Sequence, residues 1–278
     1  MCLIITTIYA LTQQHLIYIS AEKIFSLENN TYLYNTLLIN FFQDNVIICV
    51  KAVYIMKLKL ALSALLKLLA GFIMILLLIF LPAGDIKFFG GWLFIVLLFV
   101  PASIIGIVLM IKNPELLKKR LNSKEKENEQ KFVVVLSLFM FMAGFVVAGL
   151  DYRFSWLVLP KWITIVASVV FLLSYVLYAE VMRENTYLSR TVEIQADQKV
   201  IDTGLYGIVR HPMYLATILM FLSVPLILGS LFSFFIFLIY PITIALRIKN
   251  EEKVLTEGLS GYKEYKEKVK YRIFPFIW

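Results

Sequence analysis

The sequence predicts an all-α, polytopic helical membrane protein with about six transmembrane helices. Three observations lead there. Of 278 residues, 60% are hydrophobic and 17% charged, against about 45–50% apolar and about 25% charged in ordinary soluble domains. The mean hydropathy is +0.82. The apolar runs reach the roughly 20 residues that a bilayer-crossing helix needs. This composition excludes a disordered chain, which requires low hydrophobicity and high net charge. It also argues against the soluble two-domain enzyme that length alone would allow.

Residues 1–55 differ from the rest. The opening MCLIITTIYALTQQHLIYIS is apolar but interrupted by Gln13, Gln14 and His15, and no basic residue precedes Lys23. It therefore lacks the basic start of a signal peptide. Asn29-Asn30-Thr31 matches a glycosylation sequon, as many chance tripeptides do. Met56-Lys57-Leu58-Lys59 followed by a long apolar run has the form of a natural membrane-protein start, so residues 1–55 are expected to be an extension of doubtful status. Four spans follow in 56–181. The first, about 60–81, is closed by Pro82-Ala83-Gly84-Asp85, because Pro and Gly interrupt helices. The second, about 91–111, opens at Gly90-Gly91-Trp92. The third, about 132–150, closes at Asp151-Tyr152-Arg153, and the fourth occupies about 160–181. In 182–278 a polar stretch precedes two apolar segments, about 213–228 and 231–246, whose junction Gly229-Ser230 requires a tight hairpin. A charged, helix-prone tail runs over 247–270.

The net charge is +8. The positive residues gather in alternate connections: Lys112 to Lys131, Arg183 to Arg210, and Arg247 to Arg272. The opposite connections hold only Lys87, Arg153 and Lys161. With six spans this distribution places both termini and all three polar stretches on the cytoplasmic side. It accounts for the basic balance without a nucleic-acid partner. Cys2, Cys49, His15 and His211 make neither a disulfide framework nor a metal site.

The chemistry-bearing stretch is 183–214, RENTYLSRTVEIQADQKVIDTGLYGIVRHPMY. Thr191-Val192-Glu193-Ile194-Gln195 alternates as a short extended segment does, and Thr203-Gly204-Leu205-Tyr206 reads as a turn. Pro212 suits the first position of a helix, which puts Arg210 and His211 just ahead of a helix N-terminus, where amides and dipole favour a carboxylate or phosphate. Tyr214 lies one turn beyond His211 and can face the same pocket. Taken singly, each has a bland alternative: a capping histidine, an interfacial tyrosine, a positive-inside arginine. Arg247 and Glu251 share a helix face at i, i+4. They fit either a solvated ion pair or a site where Arg247 holds an anion and Glu251 takes ligand donors. Glu252 is turned about 100° away and is expected to point elsewhere. The tail Gly261 to Phe276 reads as a helix lying in the headgroups as readily as a site element, and Lys112 to Arg120 as a solvated helix.

TGLYGIVRHPMYLA, followed by RIKNEEKVLTEGLSGYKEYKEKVKYRIFPFIW, resembles the isoprenylcysteine carboxyl methyltransferase family of membrane enzymes. The resemblance covers 56–278, including the NPELLKKRL stretch similar to the prokaryotic members, and gives 1–55 no counterpart. It implies that 182–278 is the catalytic region of an integral membrane enzyme binding S-adenosylmethionine in a cytosol-facing pocket, which a lipophilic acceptor enters from the bilayer. It implies cofactor contacts from Gln195, Lys199, Val200, Ile201, Tyr206, His211, Pro212, Met213, Tyr214 and Glu251, with Arg247 holding the acceptor. Arg247 and Glu251 are the expected catalytic pair, and no metal is expected. The implied acceptor is the carboxylate of an isoprenylcysteine-like or other isoprenoid molecule. Three rivals stay open: a phospholipid amine methyltransferase, a sterol-reductase-like NADPH enzyme, and a non-enzymatic membrane protein. The last predicts polar residues along the spans, and the first four have almost none.

Overall fold

A computed structural model describes residues 31–121, 128–188, 194 and 198–278. Side chains are described at 51, 54–121, 131–188, 194 and 198–278. The chain divides into two compact units, 1–59 and 60–278. In the first, the described residues are helical from Thr31. The second holds the candidate site.

The described secondary structure is helical. The helices are α1 (Thr31–Ala83), α2 (Phe89–Lys112), α3 (Pro114–Leu121), α4 (Asn128–Phe154), α5 (Lys161–Glu184), α6 (Pro212–Ile227), α7 (Leu231–Phe237), α8 (Ile239–Gly258) and α9 (Tyr262–Lys268). Five stretches are long and apolar enough to cross a membrane: Tyr54–Ala83, Phe89–Lys112, Lys131–Phe154, Lys161–Glu184 and Leu231–Gly258. The chain is an all-helical, polytopic membrane protein. The helix over the fifth expected span, about 213–228, is shorter than the others. α6 has 16 residues, or about 24 Å, against a hydrocarbon core of about 30 Å. The first expected span also differs. Its helix begins at Thr31 rather than near residue 60, because no Gly or Pro interrupts the sequence there before Gly71.

The hairpin at Gly229-Ser230 forms as expected. Gly229 has φ +76°, which a residue without a Cβ adopts freely. Ser230 then caps α7 by accepting from the Ser233 amide at 3.1 Å. Pro241 has no N–H to offer the Phe237 carbonyl, and the helix breaks between α7 and α8 at Leu238. The core between these helices is aromatic. Phe141 meets Phe221, Phe237 and Tyr240 with ring centroids 4.8, 5.5 and 6.0 Å apart, and Phe94 meets Phe145 and Phe171. Between α1 and α4 the approach is closer still. A Cβ on Gly149 would lie 2.6 Å from the Ile79 carbonyl oxygen and 3.0 Å from the Ala83 nitrogen. Backbone cannot swing aside as a side chain can. Gly149→Ala is therefore expected to destabilise the folded protein by about 1–3 kcal/mol, read as a lower unfolding midpoint in detergent.

Two ends of the helical set are distinguishable by their contacts. At one, Asp85 accepts from the Tyr152 hydroxyl at 2.9 Å and Arg153 lies against Gly84. At the other, the ends of α3, α5 and α8 meet the start of α6, and the candidate site lies there.

Candidate functional site

The site begins where α5 stops. Asn185 ends that helix, and its side-chain amide donates to the Tyr206 hydroxyl at 3.0 Å. The intervening chain returns through a 3₁₀ turn, Gly204–Gly207. Glu184 accepts from the Leu205 amide at 3.1 Å and lies where a Cβ on Gly204 would fall. Gly204 has φ +52°, so both the conformation and the close carboxylate require glycine. Tyr265 of α9 donates to the Tyr206 carbonyl at 2.7 Å. On the outside, Lys268 donates to Asp202 at 2.7 Å and holds that carboxyl below its ordinary range. This pair is exposed, so it contributes little.

His211 and Pro212 stand at the N-cap and first turn of α6, as the sequence predicts. The anion-binding expectation is weakened there. The His211 amide donates to the Arg272 carbonyl at 2.8 Å and the Tyr214 amide turns back to the His211 carbonyl at 3.1 Å. Pro212 has no N–H, which leaves Met213 as the remaining early donor. The positive charge beside this helix start is used internally as well. Arg210 donates from Nε to Glu252 Oε1 at 2.7 Å and from one terminal nitrogen to the carbonyls of Val269 and Lys270 at 2.6 and 2.9 Å. His211 Nε2 lies 3.3 Å from the same carboxylate oxygen, and Arg272 donates to the other at 3.1 Å. Glu252 is 3% exposed, and these three cationic or ring nitrogens surround its carboxylate.

Glu251, one position earlier, faces a different way. The Tyr214 hydroxyl donates to Glu251 Oε2 at 2.5 Å and accepts from Arg247 Nε at 2.9 Å. Arg247, Tyr214 and Glu251 thus form one hydrogen-bonded chain across α6 and α8. It borders a cavity whose lining also includes Lys199, Val200, Ile201, Tyr206, His211 and Met213. The end of the cavity near α9 is apolar: Tyr262 and Tyr265 are buried in a cluster with Val200, Leu255 and Leu259. Burial raises the hydroxyl pKa of Tyr206, Tyr262 and Tyr265, so all three stay protonated.

Most residues singled out in the sequence meet at this cavity. Gln195 lies outside the described residues, as do Thr191, Val192 and Glu193 of the expected extended segment. Pro212 is buried and sets the helix start; the cavity lining does not include it. One expectation about the surroundings needs correction. α3 is not solvated all round: Leu116 and Leu117 are buried, Arg120 donates to the Tyr178 hydroxyl, and its other terminal nitrogen lies 3.6 Å from the Met213 sulfur. The tail, for which the sequence left two readings open, contributes to the site: Tyr262, Tyr265 and Val269 are buried and its carbonyls hold Arg210. Sequence reasoning missed Asn185, Tyr262 and the role of Glu252. The i, i+3 spacing of Tyr262 and Tyr265 was the available signal, since it puts both rings on one face.

A family model described as phospholipid methyltransferase matches residues 157–261, a stretch from before α5 through α8. The match supports a membrane methyltransferase. A Delta(14)-sterol reductase of Mus musculus is 30% identical over 91 residues, which is 32% of this chain and 22% of that protein. The matched stretch therefore spans about a fifth of the reductase's length. The methyltransferase match contains the whole Arg210–Tyr214 segment together with Arg247, Glu251 and Glu252. Among the described residues no cluster of three or more His, Cys, Asp or Glu side chains is placed to hold a metal ion.

Proposed function

We propose that this chain is an S-adenosylmethionine-dependent methyltransferase that modifies the carboxylate of a lipophilic acceptor, an isoprenylcysteine-like or other isoprenoid molecule. The observation that carries the proposal is the Arg247–Tyr214–Glu251 chain at the edge of the cavity. α7 and α8 together cover the 28 residues Leu231–Gly258, more than the roughly 20 that a crossing needs. The hydrogen-bonded chain sits where α8 passes from apolar to charged sequence. The last turns of α8 carry Arg247 and Glu251 beyond the apolar part, so an acceptor with its tail in lipid can present a polar head to them.

The residues present fit the donor. The apolar α9 end suits a flat heterocycle, and the charged end suits an amino-acid group. When bound, S-adenosylmethionine supplies a methyl group already activated on a sulfonium. The protein's share is then orientation and exclusion of water. Arg247 holds an acceptor carboxylate by charge-assisted hydrogen bonds, and a carboxylate needs no general base. Lys199, Val200, Ile201, Tyr206, His211, Met213, Tyr214 and Glu251 are the proposed donor contacts, with Gln195 assigned by resemblance. On this reading 182–278 is the catalytic region, 56–181 supplies four spans, and the cavity and both termini face the cytosol.

The family match favours a second reading, a phospholipid amine acceptor, with Glu251 removing the amine proton. One experiment separates them. Detergent-solubilised protein is titrated with S-adenosylhomocysteine and with NADPH by calorimetry. Methyl transfer is then assayed with a prenylcysteine analogue and with phosphatidylethanolamine. Binding of the nucleoside and transfer to the prenylcysteine analogue are expected. Heat with NADPH alone would reject the methyltransferase reading, and transfer to phosphatidylethanolamine alone would reject the carboxylate.

A further inference from the structure

Tyr262 lies just past the stretch that the family match covers. It is 4% exposed, and its hydroxyl is buried without a hydrogen-bond partner among the described residues. Its neighbour in α9, Tyr265, has a partner, the Tyr206 carbonyl. Buried hydroxyls are nearly always hydrogen-bonded, and one that is not calls for an explanation. Three facts point to a ligand. Tyr262 belongs to the cavity lining. The hydrophobic side chains packed with it, Val200, Leu255 and Leu259, are aliphatic and offer no acceptor, and Tyr265 spends its hydroxyl on the Tyr206 carbonyl. Of the charged groups that line the cavity, Arg247 and Glu251 are engaged with Tyr214 and Arg210 with Glu252 and the tail carbonyls. The cavity therefore has a polar end and an apolar end, and the apolar end holds one lone hydroxyl. A flat heterocycle with nitrogen atoms on its rim is the complement of such a place: its faces meet aliphatic carbon and its edge meets the hydroxyl.

We propose that Tyr262 is a specificity-determining residue that hydrogen-bonds the polar edge of the donor's nucleobase, and so sets the donor's direction, base toward α9 and sulfonium toward Arg247 and Glu251. The proposal rests on the S-adenosylmethionine reading. The phenol stays protonated because burial raises its pKa, so it can donate to a ring nitrogen or accept from an exocyclic amine.

Tyr262→Phe removes only the hydroxyl. A residue whose hydroxyl served the fold would lose stability on this change; one left unpartnered loses nothing. The test compares wild type and Tyr262→Phe in detergent, by thermal unfolding without ligand and by calorimetry with S-adenosylhomocysteine and with 5′-methylthioadenosine, which lacks the amino-acid part. The variant is expected to unfold no lower than wild type and to bind both nucleosides about tenfold more weakly, the loss of one buried hydrogen bond. Equal affinity of variant and wild type overturns the assignment. So does a loss confined to S-adenosylhomocysteine, wild-type binding of that nucleoside alone, or a variant that unfolds clearly lower. Wild-type protein that binds neither nucleoside removes the donor reading itself, and the inference with it.

Discussion

Glu252→Ala is expected to destabilise the protein more than any other change considered, by about 3–5 kcal/mol, because it leaves buried cations without their anion. Arg210 and Glu252 have side chains 5% and 4% exposed. The carboxylate also meets His211 and Arg272. Removing it strips the anionic partner from Arg210, whose side chain is 5% exposed. The damage spreads, because Arg210 and His211 are also where the tail is pinned: their amides donate to the carbonyls of Tyr271 and Arg272 at 2.9 and 2.8 Å. The tail closes on itself next, with the Arg272 and Ile273 amides donating to the Trp278 carbonyl and the Arg272 guanidinium 5.0 Å from the Trp278 ring centroid. Glu252→Gln keeps an acceptor for Arg210 and loses the charge, so it is expected to fall between wild type and Glu252→Ala. Glu251→Ala is the comparison that tests the assignment. Glu251 is half-buried and bonded to Tyr214, so thermal unfolding in detergent should fall much less. Equal losses for the two adjacent glutamates would show that the division of labour between them is wrong.

That division was only half legible in the sequence. The 3.6-residue repeat turns Glu252 about 100° from Glu251, enough to say that the two point apart. It could not say that Glu252 points inward, since that depends on α6 and the tail arriving from elsewhere in the chain. The spans were legible because lipid demands long apolar runs whatever their neighbours. Their limits in α2 and α5 lie within a few residues of expectation. The first helix was not, because a methionine and two lysines mark no helix boundary. Tyr214 and the Arg247–Glu251 pair were found through spacing, which holds inside a helix and across one turn. Asn185 and Tyr262 were not, because what makes them notable is the distance to Tyr206 in one case and the lack of a partner among the described residues in the other. Neither quantity exists before the chain folds. Even the i, i+4 pair was read incompletely: a tyrosine hydroxyl is hydrogen-bonded to both members.

That inserted hydroxyl makes the catalytic expectation sharper. Arg247→Ala is expected to lower kcat/KM for methyl transfer by about 100-fold or more, the scale lost when an acceptor is misplaced by an ångström, while affinity for S-adenosylhomocysteine changes little. Near-normal activity in purified Arg247→Ala would end its assigned role. Glu251→Gln then reports on the acceptor. If the nucleophile is a carboxylate there is no proton to remove, and the variant keeps most of its kcat provided the new amide oxygen still accepts from Tyr214. If the nucleophile is an amine, loss of the base costs kcat about 10²–10⁴-fold, and the deficit should narrow at higher pH as the free amine becomes abundant. Tyr214→Phe separates positioning from proton transfer. It breaks the bridge between Arg247 and Glu251 without altering either charge. Because the three side chains form one connected chain, Arg247→Ala combined with Tyr214→Phe is expected to cost much less than the sum of the single changes. Strict additivity would mean that Arg247 and Tyr214 act separately, and that the hydrogen bond joining them has no part in holding the acceptor.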